Sequence, residues 1–211
     1  RGGAPDQNLI MLDEANVYND SHLMGFFSVF NNDAIKDVKL YKGDIPAAYG
    51  GRLASVLDVR MNEGNSKKPE FNGGIGLISS RLTIEAPIIK DRSSFIISGR
   101  RNYEDIFIPL ASEEALRDNR LYFYDLNAKA NFRINDNNQI FLSGYFGRDV
   151  FSNDFAGLNW GNETATLRWN HLFSRKLFMN FSAIYSNYRY FLGTPAGEAN
   201  SFEWNSNLRD F

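Results

Sequence analysis

The run Tyr122-Phe123-Tyr124-Asp125-Leu126-Asn127-Ala128-Lys129-Ala130-Asn131-Phe132-Arg133-Ile134 decides the fold. Successive side chains of an extended strand point to opposite faces. Tyr122, Tyr124, Leu126, Ala128, Ala130, Phe132 and Ile134 therefore share one face, and Phe123, Asp125, Asn127, Lys129, Asn131 and Arg133 the other. The same period returns three times downstream. Ile140, Leu142, Gly144 and Phe146 oppose Phe141, Ser143, Tyr145 and Gly147. Ala165, Leu167, Trp169, His171 and Phe173 oppose Thr164, Thr166, Arg168, Asn170 and Leu172. Leu177, Met179, Phe181, Ala183 and Tyr185 oppose Phe178, Asn180, Ser182, Ile184 and Ser186. Each run has an apolar side and a largely polar one.

Strands of soluble sandwiches run about 5–6 residues. These runs are roughly twice as long, near the 9–11 residues that cross a bilayer at a tilt. Their connections alternate in length. Lys90-Asp91-Arg92, Asn135-Asp136-Asn137-Asn138 and Ser174-Arg175-Lys176 are tight and polar, whereas Ile106–Asn119, Ser152–Asn159 and Gly193–Asn200 are longer. Short turns on one side and long loops on the other are the pattern of a transmembrane barrel. No run approaches the roughly 18 apolar residues of a membrane helix, and the mean hydropathy is −0.38. A barrel keeps such an average, because only every second residue faces lipid. The aromatic content of 15% suits interfacial belts of Tyr and Trp. A net charge of −2 argues against nucleic-acid binding, which needs a clustered basic surface. The absence of cysteine excludes a disulfide framework and thiolate chemistry.

Upstream, the pattern changes near residues 62–70, where Asn62-Glu63-Gly64-Asn65-Ser66-Lys67-Lys68-Pro69-Glu70 reads as a linker. Before it, strands are expected at Asn8–Asp13, Asp37–Lys42 and Ser55–Met61, with a helical turn at Ala34–Lys36 capped by Asn32-Asp33. After it, two readings fit: a first strand over Phe71–Ile78 that bends at Ser79-Ser80 and returns as Arg81–Ile88, or one long strand from Phe71 to Ala86. The expected fold class is mainly β: an antiparallel transmembrane β-barrel segment of about eight strands over residues 71–211, a linker over 65–70, and a small α+β plug remnant over 1–64. The opening Arg1-Gly2-Gly3 and the strand-like ending at Phe211 are read as cuts in a larger protein.

Three ordered motifs in the first part carry a family resemblance. Arg1-Gly2-Gly3-Ala4-Pro5-Asp6-Gln7-Asn8-Leu9-Ile10-Met11-Leu12-Asp13, then Ile35-Lys36-Asp37-Val38-Lys39-Leu40-Tyr41-Lys42-Gly43, then Ala48-Tyr49-Gly50-Gly51-Arg52 with Val56-Leu57-Asp58-Val59 resemble the plug domain of TonB-dependent outer-membrane receptors. The wording around Tyr18–Phe30 and Asp33–Gly43 is similar to the branch that carries a carboxypeptidase-regulatory-like domain ahead of the plug. Glu14 departs from that family's glycine after Asp13, and Ala54-Ser55 stands where many members have two glycines. The resemblance implies an outer-membrane location and active uptake of a scarce nutrient: siderophore-bound iron, cobalamin, a glycan or a peptide. Implied partners are a TonB-type energy-transducing protein, the nutrient ligand, outer-membrane lipid and a surface lipoprotein. The rival reading is a non-transporting outer-membrane or soluble β-rich binding or adhesion protein.

As the resemblance places it, the stretch Tyr18–Phe30 forms the plug's outward apex, with Tyr18, His22, Phe26 and Phe27 as candidate substrate-facing residues. Packing of His22 against the barrel wall is the competing reading. Arg101 (one of the pair Arg100-Arg101), Lys129, Arg133 and Arg168 are expected to face the lumen. His171 lies on an apolar face between Trp169 and Phe173 and is read as an interfacial side chain. Gly74-Ile75-Gly76-Leu77-Ile78-Ser79 lacks the last glycine and the helix of a dinucleotide fingerprint. The pairs Asp13-Glu14 and Glu113-Glu114 are read as solvated loop charges, and the sequons at Asn19, Asn162 and Asn180 carry no weight. No catalytic constellation, metal set or cofactor site stands out, so the chain is not read as an enzyme.

Overall fold

The computed structural model describes residues 3–52, 54–108, 119–153, 155–194 and 202–211. The first part contains six short strands: β1 (Asn8–Leu12), β2 (Ala15–Asn16), β3 (Ser21–His22), β4 (Phe27–Ser28), β5 (Ile35–Tyr41) and β6 (Ser55–Met61). Four of them form a mixed sheet in the order β2-β1-β6-β5, and β3 with β4 makes a separate hairpin. β1 runs parallel to β6, with Asn8 opposite Ser55 and Leu12 opposite Val59. The helical component is limited to 3₁₀ turns, among them Asn32–Ala34. That turn starts earlier than the expected Ala34–Lys36 because Ile35 already pairs with Met61 on β6. Its cap is Asn31, whose side chain accepts from the Asp33 N–H at 3.1 Å.

The second part is one antiparallel sheet of eight strands in chain order: β7 (Glu70–Ile75), β8 (Ser79–Ile89), β9 (Ser93–Asn102), β10 (Arg120–Asn135), β11 (Asn138–Ser152), β12 (Gly157–Ser174), β13 (Leu177–Gly193) and β14 (Glu203–Asp210). Of the two readings of residues 71–88, the bent one describes the chain: the Gly76 N–H donates to Ser79 O at 2.9 Å and closes the turn between β7 and β8. At one end of the sheet the connections are as short as Asp136-Asn137 and Arg175-Lys176. At the other end β9 leads into a single helical turn, α1 (Glu104–Phe107). The connection after β11 is shorter than Ser152–Asn159, because pairing continues to Ser152 opposite Gly157. The expected loop residues 109–118, including Glu113-Glu114, and 195–200 lie outside the described residues.

At about 3.3 Å per residue, the 18 residues of β12 span near 60 Å, well beyond a single bilayer crossing. The two faces are unlike. Ser98, Asp125, Asn127, Lys129, Ser143, Asp149, Asn162 and Thr166 are buried on the face that covers the small sheet. Leu126, Leu142, Leu167, Trp169 and Phe181 are exposed on the other. Contiguous apolar patches beyond a few hundred Å² are rare on soluble monomers, so this sheet is built for an apolar medium outside and a polar filling inside. The small sheet has its own core of Leu12, Val17, Val29, Val59 and Met61, and the wall contributes Tyr145 to it. A unit of about sixty residues buries too little to be robust alone, and the wall completes it.

The segment between β6 and β7 is pinned to the wall despite its linker-like composition. Glu63 O accepts from Ser94 Oγ and from Asn131 Nδ2, both at 2.8 Å. Gly64 has φ +79° there, and a Cβ on it would stand 2.3 Å from the carbonyl oxygen of Phe95. Gly64→Ala is therefore expected to destabilise the full-length protein by more than about 1 kcal/mol, whereas Gly74→Ala, with open space around it, stays near neutral. Urea midpoints of the refolded protein measure both.

Candidate functional site

The small sheet and the wall belong to separate sheets, so side chains, not a backbone ladder, hold them together. The tip of the β1–β2 hairpin carries the first contact. A two-residue hairpin turn asks for positive φ at both positions, normally supplied by Asn-Gly or Asp-Gly. Asp13 (φ 47°) and Glu14 (φ 77°) adopt it with full side chains, a strain of order 1–3 kcal/mol for a non-glycine residue. Both carboxylates are engaged. Lys129 Nζ stands 3.0 Å from Asp13 Oδ2 and donates to Met61 O at 3.0 Å. Glu14 Oε1 pairs with Arg168 Nη1 at 3.0 Å, and its other oxygen accepts from Ser182 Oγ at 2.5 Å. The reading of Asp13-Glu14 as solvated loop charges is corrected: the hairpin tip points at the polar face of the wall, where cations meet it.

The second contact is centred on His22, only 1% exposed. Its Nδ1 donates to Asp149 Oδ2 at 2.7 Å, and its Nε2 lies 3.4 Å from Asp125 Oδ2. Asp149 Oδ1 also accepts from the Leu23 N–H at 2.7 Å. The imidazole stacks on Phe123, with centroids 4.2 Å apart. Arg100 closes the cluster, donating to Asp125 Oδ2 at 2.6 Å and to Ser28 O at 2.6 Å. Burial by itself lowers the His22 pKa, but the hydrogen bonds and charges of Asp125 and Asp149 outweigh it, and the pKa stands above the ordinary value. When protonated, His22 joins Arg100 in balancing the two carboxylates.

Further contacts line the interface. Asn31 Nδ2 donates to Ser98 Oγ at 2.8 Å, Arg81 Nε meets Asp33 Oδ2 at 2.9 Å, and Asn162 Oδ1 accepts from the Tyr18 N–H at 3.1 Å. Tyr18 Oη also donates to Asp210. Burial, together with that carboxylate, pushes the Tyr18 phenol up to about 12, so it remains a donor at neutral pH. Beside it a cavity of about 1130 Å³ opens between the small sheet and β12–β14, lined by Tyr18, Arg52, Trp160, Tyr188 and Tyr190.

Of the four apex candidates, Tyr18 lines this cavity, and Phe26 is 85% exposed on the β3–β4 hairpin. Phe27 packs on Phe123 with centroids 5.3 Å apart. For His22 the ligand-facing candidate is corrected to the competing reading, packing against the wall, because its two carboxylate partners draw it into that contact. Among the lumen candidates, Lys129 and Arg168 face the small sheet. Arg133 shares their face but lies beyond the small sheet and is exposed. Arg101 is corrected: it pairs with Asp105 at 2.8 Å and lies over Tyr122 on the outward face. Strand parity puts Arg100 inside instead, and counting in twos from Ser98 would have found it. Asp125 and Asp149, missed as site residues, sit on the polar parity of their strands. His171 lies outward, its Nδ1 2.7 Å from Asn138 Oδ1 and its ring edge-on to Phe173.

Neither protein-family models nor curated proteins match the sequence. Solved structures do. The siderophore receptor PirA from Acinetobacter baumannii superposes with a TM-score of 0.62 at 14% identity, over 99% of this chain and 37% of that one. The siderophore receptor PirA from Pseudomonas aeruginosa gives 0.60 at 15% identity, over 100% and 42%. A mutant ferric enterobactin receptor from Pseudomonas aeruginosa, in complex with enterobactin, gives 0.51 at 11% identity, over 99% and 42%. The chain spans about two fifths of the length of these receptors. Over that stretch it shares their fold, a long antiparallel sheet with a small mixed sheet packed on its polar face.

Removing one member of a buried ion pair leaves the other uncompensated, at about 3–5 kcal/mol. Lys129→Met should show that loss in the full-length protein, and adding Asp13→Asn should recover most of it in a double-mutant cycle of urea midpoints. His22 supplies a pH signature. Because its pKa is raised by folding, its contribution is complete below the ordinary imidazole value of ~6.5 and fades as pH climbs through the raised one. The thermal midpoint should therefore fall more steeply as pH rises above about 6.5 in the parent than in His22→Gln.

Proposed function

We propose that this chain is the plug end and first barrel strands of a TonB-dependent outer-membrane receptor that imports a nutrient. Residues 1–64 are its plug, 65–70 the linker and 71–211 the wall. One observation carries the reading: the large sheet turns apolar side chains outward, and its polar face holds a separate small sheet. A soluble binding module would place that apolar face in its core, so the soluble form of the rival reading finds no support in the exposed Leu126, Leu142 and Leu167; a non-transporting outer-membrane protein shares this wall and is separated from a transporter by the uptake test.

The chemistry of the interface suits a plug that must stay and also move. A hydrogen bond contributes only about 0.5–1.5 kcal/mol net, and a buried ion pair is close to neutral against an apolar replacement. Polar contacts therefore fix the plug's position through geometry while leaving each link weak. A TonB-type protein drawing on the plug from the inner side would break them in turn. Ligand would meet Tyr18, Phe26 and the cavity beside Trp160 and Tyr188. The fold relatives are receptors for siderophores, so ferric siderophores are the first ligands to test; cobalamin, glycans and peptides follow.

The full-length gene should be required for energy-dependent uptake by a deletion strain on one of these nutrients under limitation. Cysteines placed at Asn19 and Asn162 and joined by a short bis-maleimide should abolish uptake while ligand binding persists. Undiminished uptake by the tethered receptor, or no nutrient phenotype in the deletion strain, would refute the reading.

A further inference from the structure

The outward face of the wall changes character along its strands. One row across the sheet, Ile97-Ala128-Gly144-Ala165-Tyr185, is uncharged. Four residues further from the tight turns, the row Arg101-Tyr124-Arg148-Gly161-Arg189 carries an arginine on every second strand. With strands about 4.8 Å apart, the three guanidiniums repeat at intervals of roughly 10 Å. All three arginines are exposed. The row between them is Gly99-Leu126-Phe146-Glu163-Asn187, continued on β14 by Arg209.

Two of the three have counter-ions: Arg189 pairs with Glu163 and Arg101 with Asp105. The Arg148 side chain makes no ion pair or hydrogen bond among the described residues. With Arg209, four arginines face two carboxylates, so the band is net cationic on a chain whose overall charge is −2. Tyr122 and Tyr124 are interspersed, aromatic residues of the kind that settle at headgroup level. Arginine here is informative. An isolated cation facing hydrocarbon is expensive, so three of them at the edge of an apolar belt mark where hydrocarbon ends. A planar guanidinium also matches phosphate oxygens in two-point contact.

We propose that this arginine row binds the phosphorylated headgroups of outer-leaflet glycolipid. The proposal rests on the receptor reading above, which sets the apolar belt in the outer membrane with the tight turns on the inner side. It adds a second ligand surface, outside the barrel and independent of the nutrient. Arg101 and Arg189 reach a phosphate by exchanging a carboxylate partner for it, and Arg148 is free to do so directly.

The full-length receptor, purified in detergent, is titrated with a bis-phosphorylated glycolipid in mixed micelles, with the same glycolipid after dephosphorylation, and with inorganic phosphate as competitor. Surface arginines each contribute roughly fivefold in affinity for anionic lipid. Arg148→Gln, which removes no internal contact, should weaken binding about fivefold. The triple variant with Arg101→Gln and Arg189→Gln should weaken it more than tenfold, and dephosphorylation of the lipid should do the same to the parent. Equal affinity of parent and variants, or of the two lipids, overturns the proposal. So does competition by equimolar inorganic phosphate, which indicates a free-anion site, or a receptor dimer lost in the variants whatever the lipid, which indicates self-association. Fractionation separates the two levels. A receptor found in the outer membrane that fails these tests sinks the headgroup site alone, and one absent from that membrane sinks the receptor reading with it.

Discussion

The polarity of the large sheet is inverted, and everything else depends on that inversion. Serines, asparagines and charged groups on strands β9–β13 are buried, and a buried polar group without a partner costs on the order of 1–3 kcal/mol. The wall cannot satisfy them with its own backbone, which is committed to strand pairing. The small sheet supplies partners for several of them: Asp13 to Lys129, Glu14 to Arg168 and Ser182, Asn31 to Ser98, His22 to Asp149. The small sheet in turn has a minor core that needs Tyr145 from the wall. Each part is incomplete without the other, yet they share no strand pairing.

That division explains what was legible in the sequence. Period-two alternation announces the wall, because lipid and plug impose opposite demands on neighbouring residues over four long strands. It even sorts the faces correctly for Lys129 and Arg168. Alternation is silent where two like residues stand side by side, as at Arg100-Arg101, and there only the register with Ser98 and Asp125 decides which is inside. The partners of Asp13, Glu14 and His22 were not legible, because each lies more than a hundred residues away along the chain. Composition made Asn62–Gly64 look like a free linker. Its carbonyls are held by Ser94 and Asn131, a contact that only the fold brings about.

Glu14 shows how a local rule gives way to a tertiary one. A glycine would relax the hairpin turn, and the chain tolerates φ 77° with a side chain that reaches Arg168 and Ser182. Strain stored at a turn is recovered across an interface. The same logic applies at Leu23 and Met24, both at positive φ beside the Asp149 carboxylate that holds the Leu23 N–H. Four of the six non-glycine residues in left-handed conformations among the described residues thus sit where the small sheet grips the wall; the other two, Asp44 and Asp91, lie in turns elsewhere.

The parallel pairing of β1 with β6 has a mechanical consequence. A tug entering upstream of Asn8 is resisted where Asn62–Gly64 is fastened to the wall, and these points lie at opposite ends of the β1–β6 pair. Load then runs along the strand axes and is shared by the rungs from Asn8–Ser55 to Leu12–Val59 at once, instead of peeling them one by one. Strands loaded in shear are the stiff direction of a sheet. The side-chain contacts to the wall are not arranged in such a ladder, so they are the seam at which such a tug would first give.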